Sequence, residues 1–185
     1  MKYYDTALVS VPKWYGYTGN LEPVVITANN YSALRKKSKN KGFIVLKHPS
    51  KKVFRKAVEK SLVDAVLPDR LRGHDYFHHK KTLLNNVTAK LMSKNKVSLL
   101  FTFRELRNHN SEERALIWGR MRQEAWICLK KKVPIIISSW AEKKEELVGA
   151  TSLLAMGELL GLKPEEAKQS LNHVQRKILE RLSRE

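Results

Sequence analysis

Cysteine is almost absent from this 185-residue chain, where Cys128 stands alone. A single thiol can build neither a disulfide framework nor a Cys-rich zinc module, and such usage fits a reducing compartment. Within Trp126-Ile127-Cys128-Leu129 it reads as a small apolar residue buried in a helix. Long apolar runs are also missing. No stretch approaches the roughly eighteen residues of a membrane span, and Met1-Lys2-Tyr3-Tyr4-Asp5 lacks the apolar core of a signal peptide. The expectation is a cytoplasmic protein with no membrane partner. Glycine-rich phosphate loops of the P-loop or dinucleotide type do not occur, and no Ser/His/Asp or Cys/His constellation points to nucleophilic catalysis. Acid is scarce as well. Eighteen Asp+Glu face 36 Lys+Arg, a formal net charge of +18. Such an excess attracts polyanions, above all nucleic acid, with an anionic membrane surface as the rival.

The chain is nonetheless 42% hydrophobic, enough for a folded core rather than a disordered basic tail. Short β-branched runs alternate with helical patterns. Strands are predicted at Val24–Thr27, Phe43–Leu46, Val63–Leu67, Val97–Phe101 and Val133–Ser138, with a weak first one at Tyr3–Leu8. Helices are predicted at Lys51–Lys60, Thr82–Asn95, Glu112–Lys132 and Thr151–Leu160. A last helix opens at Pro164, with Ala167, Leu171, Val174, Ile178 and Leu182 at helical spacing. Alternating strands and helices imply crossovers and a parallel sheet. A full eight-stranded barrel takes about 250 residues. The expected fold is therefore α/β: a single domain over 1–185, either a reduced or distorted TIM-barrel-like fold or an open sheet.

Four places hold residues that could carry chemistry. The loop Asp69–Lys81 follows a strand, and parallel folds build sites at strand carboxyl ends. His74, His78 and His79 with Asp69 and Asp75 suggest a metal, but the spacing matches no recurring ligand motif. Arg70, Arg72, Lys80 and Lys81 would oppose a cation, and with His78 and His79 they suit phosphate contact or a merely solvated loop. In the long helix, a stripe centred on Trp118 contains Met121, Ala125 and Leu129. Arg114 and Arg122 each lie about 40° from its centre, whereas Arg120 points away, one turn before Glu124. Arginines in such a stripe either pair and snorkel or bind phosphate. Arg104 follows a strand on what reads as a strand-end loop. Trp14, Tyr15 and Tyr17 form an aromatic cluster that either stacks bases or anchors the core. Strand-end carboxylates are few, and no residue is read as catalytic or as a metal ligand.

An ordered series runs from Phe54 to Ala167. Phe54-Arg55-Lys56-Ala57-Val58-Glu59-Lys60 leads into Val63-Asp64-Ala65-Val66. Asn86-Val87-Thr88-Ala89-Lys90-Leu91-Met92 precedes Val97-Ser98-Leu99-Leu100-Phe101-Thr102-Phe103-Arg104. Glu113-Arg114-Ala115 and Gly119-Arg120-Met121-Arg122 follow. Pro134-Ile135-Ile136-Ile137-Ser138-Ser139-Trp140-Ala141 and Leu159-Leu160-Gly161-Leu162-Lys163-Pro164-Glu165-Glu166-Ala167 complete it. This series resembles the family of ribonuclease P protein component 3, shared by the archaeal and eukaryal enzymes. The resemblance implies a barrel related to the PHP hydrolases, and a subunit that helps a catalytic RNA remove the 5′ leader from precursor tRNA. It also implies that the RNA carries the active site and that the protein binds no cofactor of its own, magnesium serving the RNA-catalysed reaction. The implied partners are ribonuclease P RNA, precursor tRNA through the holoenzyme, and a small subunit of RNA-recognition-like fold. Arg104, Arg114 and Arg120 stand at basic positions of the family. Ser10–Lys41 diverges from it, and Tyr3–Leu8 lacks the His-x-His pair of PHP hydrolases. Two rival readings remain open: a metal-dependent barrel phosphoesterase or nuclease using His74, His78 or His79, and a general RNA-binding barrel protein.

Overall fold

The computed structural model describes residues 3–10, 12, 15–38 and 42–182, and among 175–182 it describes the side chain of Lys177 only. Trp14 and the side chains of Ile178 and Leu182 therefore lie outside the described residues. Among the described residues seven strands form parallel pairs, and from the third onward they alternate with helices. β1 (Tyr4–Asp5) pairs with β2 (Gly19–Asn20). The main sheet runs β3 (Val24–Ile26), β4 (Ile44–Lys47), β5 (Ala65–Leu67), β6 (Ser98–Thr102) and β7 (Ile135–Ser138), in that spatial order. Strand order that follows sequence order is single winding. Right-handed crossovers place the helices that link successive strands on one face, as in a TIM barrel.

Alternating side chains divide the interior in two. Ile44, Leu46, Leu99, Phe101, Ile135 and Ile137 face the helices. Val45, Ala65, Leu67, Leu100 and Ile136 face inward and meet Phe43 and Trp140. Both faces are buried, which accounts for the continuous apolar runs in the sequence. The two sheets are tied together just past β1 and β7, where Leu8 N–H donates to the Ala141 carbonyl (2.8 Å).

The helices are α1 (Tyr31–Lys37), α2 (Lys51–Glu59), α3 (Asn86–Lys94), α4 (Phe103–Arg107), α5 (Ser111–Lys131), α6 (Ala150–Leu159) and α7 (Pro164–Leu182). α2 buries Val53, Phe54, Ala57 and Val58 against the sheet, at roughly 1.5–3 kcal/mol for each of the large side chains. α5 obeys its dipole, with Glu112 and Glu113 in its first turn, Lys130 and Lys131 in its last, and Lys132 left-handed at its end. α7 closes the amino end of the sheet. Val174 enters the inner cluster, and the Lys177 ammonium donates to the carbonyls of Asp64 and Lys96, just ahead of β5 and β6.

The structure adds α1, α4 and β2 to the elements expected from sequence, and it shortens one helix. α3 starts at Asn86 instead of Thr82 because Asn85 caps it. The Asn85 side chain accepts from the N–H groups of Val87 and Thr88, and Thr88 Oγ accepts from Asn85 N–H in return. Residues 68–85 consequently form one long connection at the carboxyl end of β5.

Candidate nucleic-acid interface

Because the strands are parallel, their carboxyl ends share one mouth. It gathers the connections after β4 and β5, helix α4, and the segment after β7. The 68–85 connection is held down by two arginines. Arg70 turns inward, its side chain wholly inaccessible. Its guanidinium donates to Glu124 (2.8 Å), Glu105 (2.6 Å) and the Leu100 carbonyl (2.9 Å), and lies 4.8 Å from the Phe101 ring centroid. Arg120, 1% exposed, donates to the carbonyls of Arg70 (2.7 Å), Arg72 (3.2 Å) and Gly73 (2.6 Å), and to Asp75 (2.8 Å).

The electrostatics follow from this pairing. Burial acts against charge on Arg70, but Glu105 and Glu124 outweigh it and raise the pKa above its ordinary value. Burial pushes the Glu124 carboxyl up, with Arg70 opposing. Asp75 moves the other way. Burial would raise it, yet donation from the Lys81 N–H (2.7 Å) and from Arg120 holds it below the usual carboxylate range.

These placements correct the sequence reading. Arg70 and Arg120 were expected among RNA contacts, and both side chains lie in the interior, Arg70 tying the loop to α4, α5 and β6 and Arg120 gripping the loop backbone. Arg114 and Arg122 were placed in the apolar stripe of α5, and both are exposed. The buried face is instead Ile117, Arg120, Met121, Glu124, Ala125 and Cys128. It turns toward Glu124 because the ion pairs with Arg70 require that carboxylate inside. Trp118 was a misleading centre, being only half-buried.

Arg104 lies in α4 rather than on a loop, its side chain 24% exposed and engaged by Glu142 and Glu146. The Glu142 N–H and Arg104 hold the Glu146 carboxyl below its usual value. Arg114 crosses from α5 to cap α4, donating to the carbonyls of Leu106 (2.7 Å) and His109 (3.1 Å). Arg72, His78, His79 and Lys80 are exposed and Lys81 half-buried. The Tyr76 and His79 rings stack at 4.7 Å, and Lys81 Nζ sits 5.4 Å from the Tyr76 centroid. Lys80 is fixed by a reciprocal backbone pair with the Gln123 side chain, both bonds 2.9 Å. Its stem lies across Gly119, where a Cβ would stand 2.5 Å from Lys80 Cε. Of the aromatic cluster, Tyr17 is buried and donates to the Val148 carbonyl (2.6 Å).

Sequence reasoning missed two constellations. The Arg70–Glu124–Glu105 cluster had one local signal: Arg120 and Glu124 sit one turn apart, beside apolar Met121, Ala125 and Cys128. The second is Asp5, buried in β1. It accepts from Ser138 Oγ (2.9 Å), Ser139 N–H (3.0 Å), Ser139 Oγ and Thr6 N–H (2.8 Å), while burial raises its pKa. Its partners come from the far end of the chain, so no local spacing could reveal it.

Fold and mouth together define a class: an α/β protein of barrel type, singly wound, whose carboxyl-end loops carry cations. Among the described residues no group of three or more His, Cys, Asp or Glu could hold a metal ion. Residues 22–184 match the family model described as RNase P subunit p30, and the chain belongs to that family. A ribonuclease P protein component 3 from Thermococcus gammatolerans is 34% identical over 133 residues, 71% of this chain and 58% of that protein. One from Thermococcus kodakarensis is 28% identical over 169 residues, covering 90% and 73%. A chain in a cryo-EM structure of archaeal ribonuclease P with mature tRNA superposes with a TM-score of 0.71 at 26% identity, covering 90% of this chain and 70% of that one.

Proposed function

We propose that this chain is a protein subunit of ribonuclease P, binding the catalytic RNA and supporting removal of the 5′ leader from precursor tRNA. The observation that carries the reading is the family match over residues 22–184, joined to superposition on a chain of the archaeal enzyme. The charge of +18 suits a partner dense in phosphate. The contribution is positional: exposed cations, among them Arg72, Arg122, His78, His79 and Lys80 with the half-buried Lys81, neutralise phosphates and hold the RNA in shape. Arg114 and Arg104 supply charge from the α4 side of the mouth. Arg70 and Arg120 act through the loop they clamp. The RNA, with magnesium, performs the cleavage, the chain alone does not, and a small subunit of RNA-recognition-like fold is its protein partner.

Reconstitution at low magnesium tests this. Leaving the chain out of the RNA-plus-proteins mixture should depress precursor-tRNA cleavage. Unchanged cleavage without it overturns the reading.

A further inference from the structure

The mouth holds cations with no acidic partner. Among the described residues Lys51, Lys52 and Arg72 form no ion pair. They line one cleft of about 480 Å³ with Lys81 and a single carboxylate, Asp69, between the start of α2 and the clamped loop, so four cations face one acid. Lys51 and Lys52 occupy the first turn of α2, which contains no acid. That is the wrong end of a helix for lysine, because the dipole there favours negative charge. Two like charges kept against the dipole, facing Arg72 and Lys81, make a surface whose complement is an anion. The loop side is rigid, since Arg120 grips the carbonyls of Arg72 and Gly73 and Asp75 grips the Lys81 amide.

Beside this cleft lies a second of about 520 Å³, which shares Lys51 and Lys81 and is walled by Tyr76 and His79. Phe77, next in the chain after Tyr76, is 98% exposed, with the His78 ring edge-on to it at 4.8 Å. Cations beside an open aromatic face suit an unpaired strand, whose bases can stack while its backbone follows the lysines. A duplex hides its base faces. A membrane surface is met by an amphipathic helix, whereas these groups stand on an irregular loop.

We infer that the mouth between α2 and residues 69–83 is a cradle for an unpaired RNA strand. Its phosphates lie along Lys51, Lys52, Arg72 and Lys81, and one base stacks on Phe77. The inference rests on the ribonucleoprotein reading above and sharpens it to a single-stranded, sequence-tolerant contact.

The full chain is titrated by fluorescence anisotropy with a short oligouridine and with an RNA duplex of equal length, over a range of salt. Lys51→Gln/Lys52→Gln/Arg72→Gln should lower the slope of log affinity against log salt by about 2, at about 0.7 per phosphate on a single strand. Phe77→Ala should weaken oligouridine binding by about five- to a hundredfold, with the slope and duplex affinity unchanged. Lys51→Glu/Lys52→Glu should abolish the binding while the thermal midpoint stays level or rises, which separates lost contact from lost fold. Native-like binding by the Gln and Ala variants, equal losses on the duplex, or losses confined to phosphatidylserine vesicles each overturn the cradle. Reconstituted cleavage separates the two readings. If omitting the chain abolishes cleavage and the variants restore it fully, the cradle is wrong and the subunit assignment stands. If omission changes nothing, the assignment falls, and the oligouridine slopes still decide the cradle.

Discussion

Two arginines on one helix, two positions apart, have opposite fates. Arg120 is interior and Arg122 is exposed, because side chains two apart on a helix point in different directions. Arg70 shows what interior charge demands. Its guanidinium meets Glu124, Glu105 and a carbonyl, so every neighbour depends on it. Arg70→Met should leave those carboxylates stranded and lower stability by about 3–5 kcal/mol, read as a drop in denaturant midpoint. Arg122→Ala should stay within about 0.5 kcal/mol on the same measurement. Local sequence exposed this residue-level logic only in part. Charge on the buried face of α5 was visible, but which arginine bore it was not. The answer depends on Arg70, fifty-four positions from Glu124, and on Glu105 from α4.

Among the elements, the 68–85 connection matters most. It has no regular structure, yet its backbone is gripped by Arg120 at one end and by Asp75 and Gln123 at the other. The Asp75 carboxyl is held below its ordinary value in the fold. Its contribution is therefore complete above the usual aspartate pKa of about 3.9, and it is lost as pH falls from there through the lower folded value. The Lys81 amide resonance should shift across that acid window as the hydrogen bond to Asp75 is released. In Asp75→Asn that titration should vanish. A Lys81 amide indifferent to acid in the native chain would contradict the clamp. Strands β3 to β7 and helices α2, α5, α6 and α7 were legible in sequence because their signals are local: apolar runs, helical spacing, a proline at a first turn. The loop was recognised as a site but its rigidity was not, since the clamp is supplied by a helix some forty residues further on. α4 escaped notice because five residues directly after a strand offer no periodicity.

At the scale of the whole molecule, charge and fold pull in opposite directions. A net +18 on one compact body is self-repulsive, while much of the acid present is already committed inward or to neighbours, as at Glu105, Glu124 and Asp75. Salt that screens the surface should therefore stabilise the free protein. Its melting temperature should rise between about 0.01 and 0.15 M ionic strength, where the Debye length falls from roughly 30 to 8 Å. A falling midpoint would mean that surface ion pairs outweigh the repulsion.

The Asp5 knot also sets a timetable. Its donors at the end of β7 and just past it lie more than a hundred and thirty positions further along the chain, so β1 has nothing from that region to hold until the ribosome has delivered Ser138 and Ser139. The intervening helices and strands can assemble from near neighbours as they emerge, whereas a contact spanning most of the chain is slow to form. The Asp5 contact thus waits for β7, and a nascent chain halted before that strand carries a buried-type carboxylate on an unclasped first strand. The seam between β1 and β7 is where newly made copies of this protein depend on synthesis having passed Ser139 before the first strand can settle.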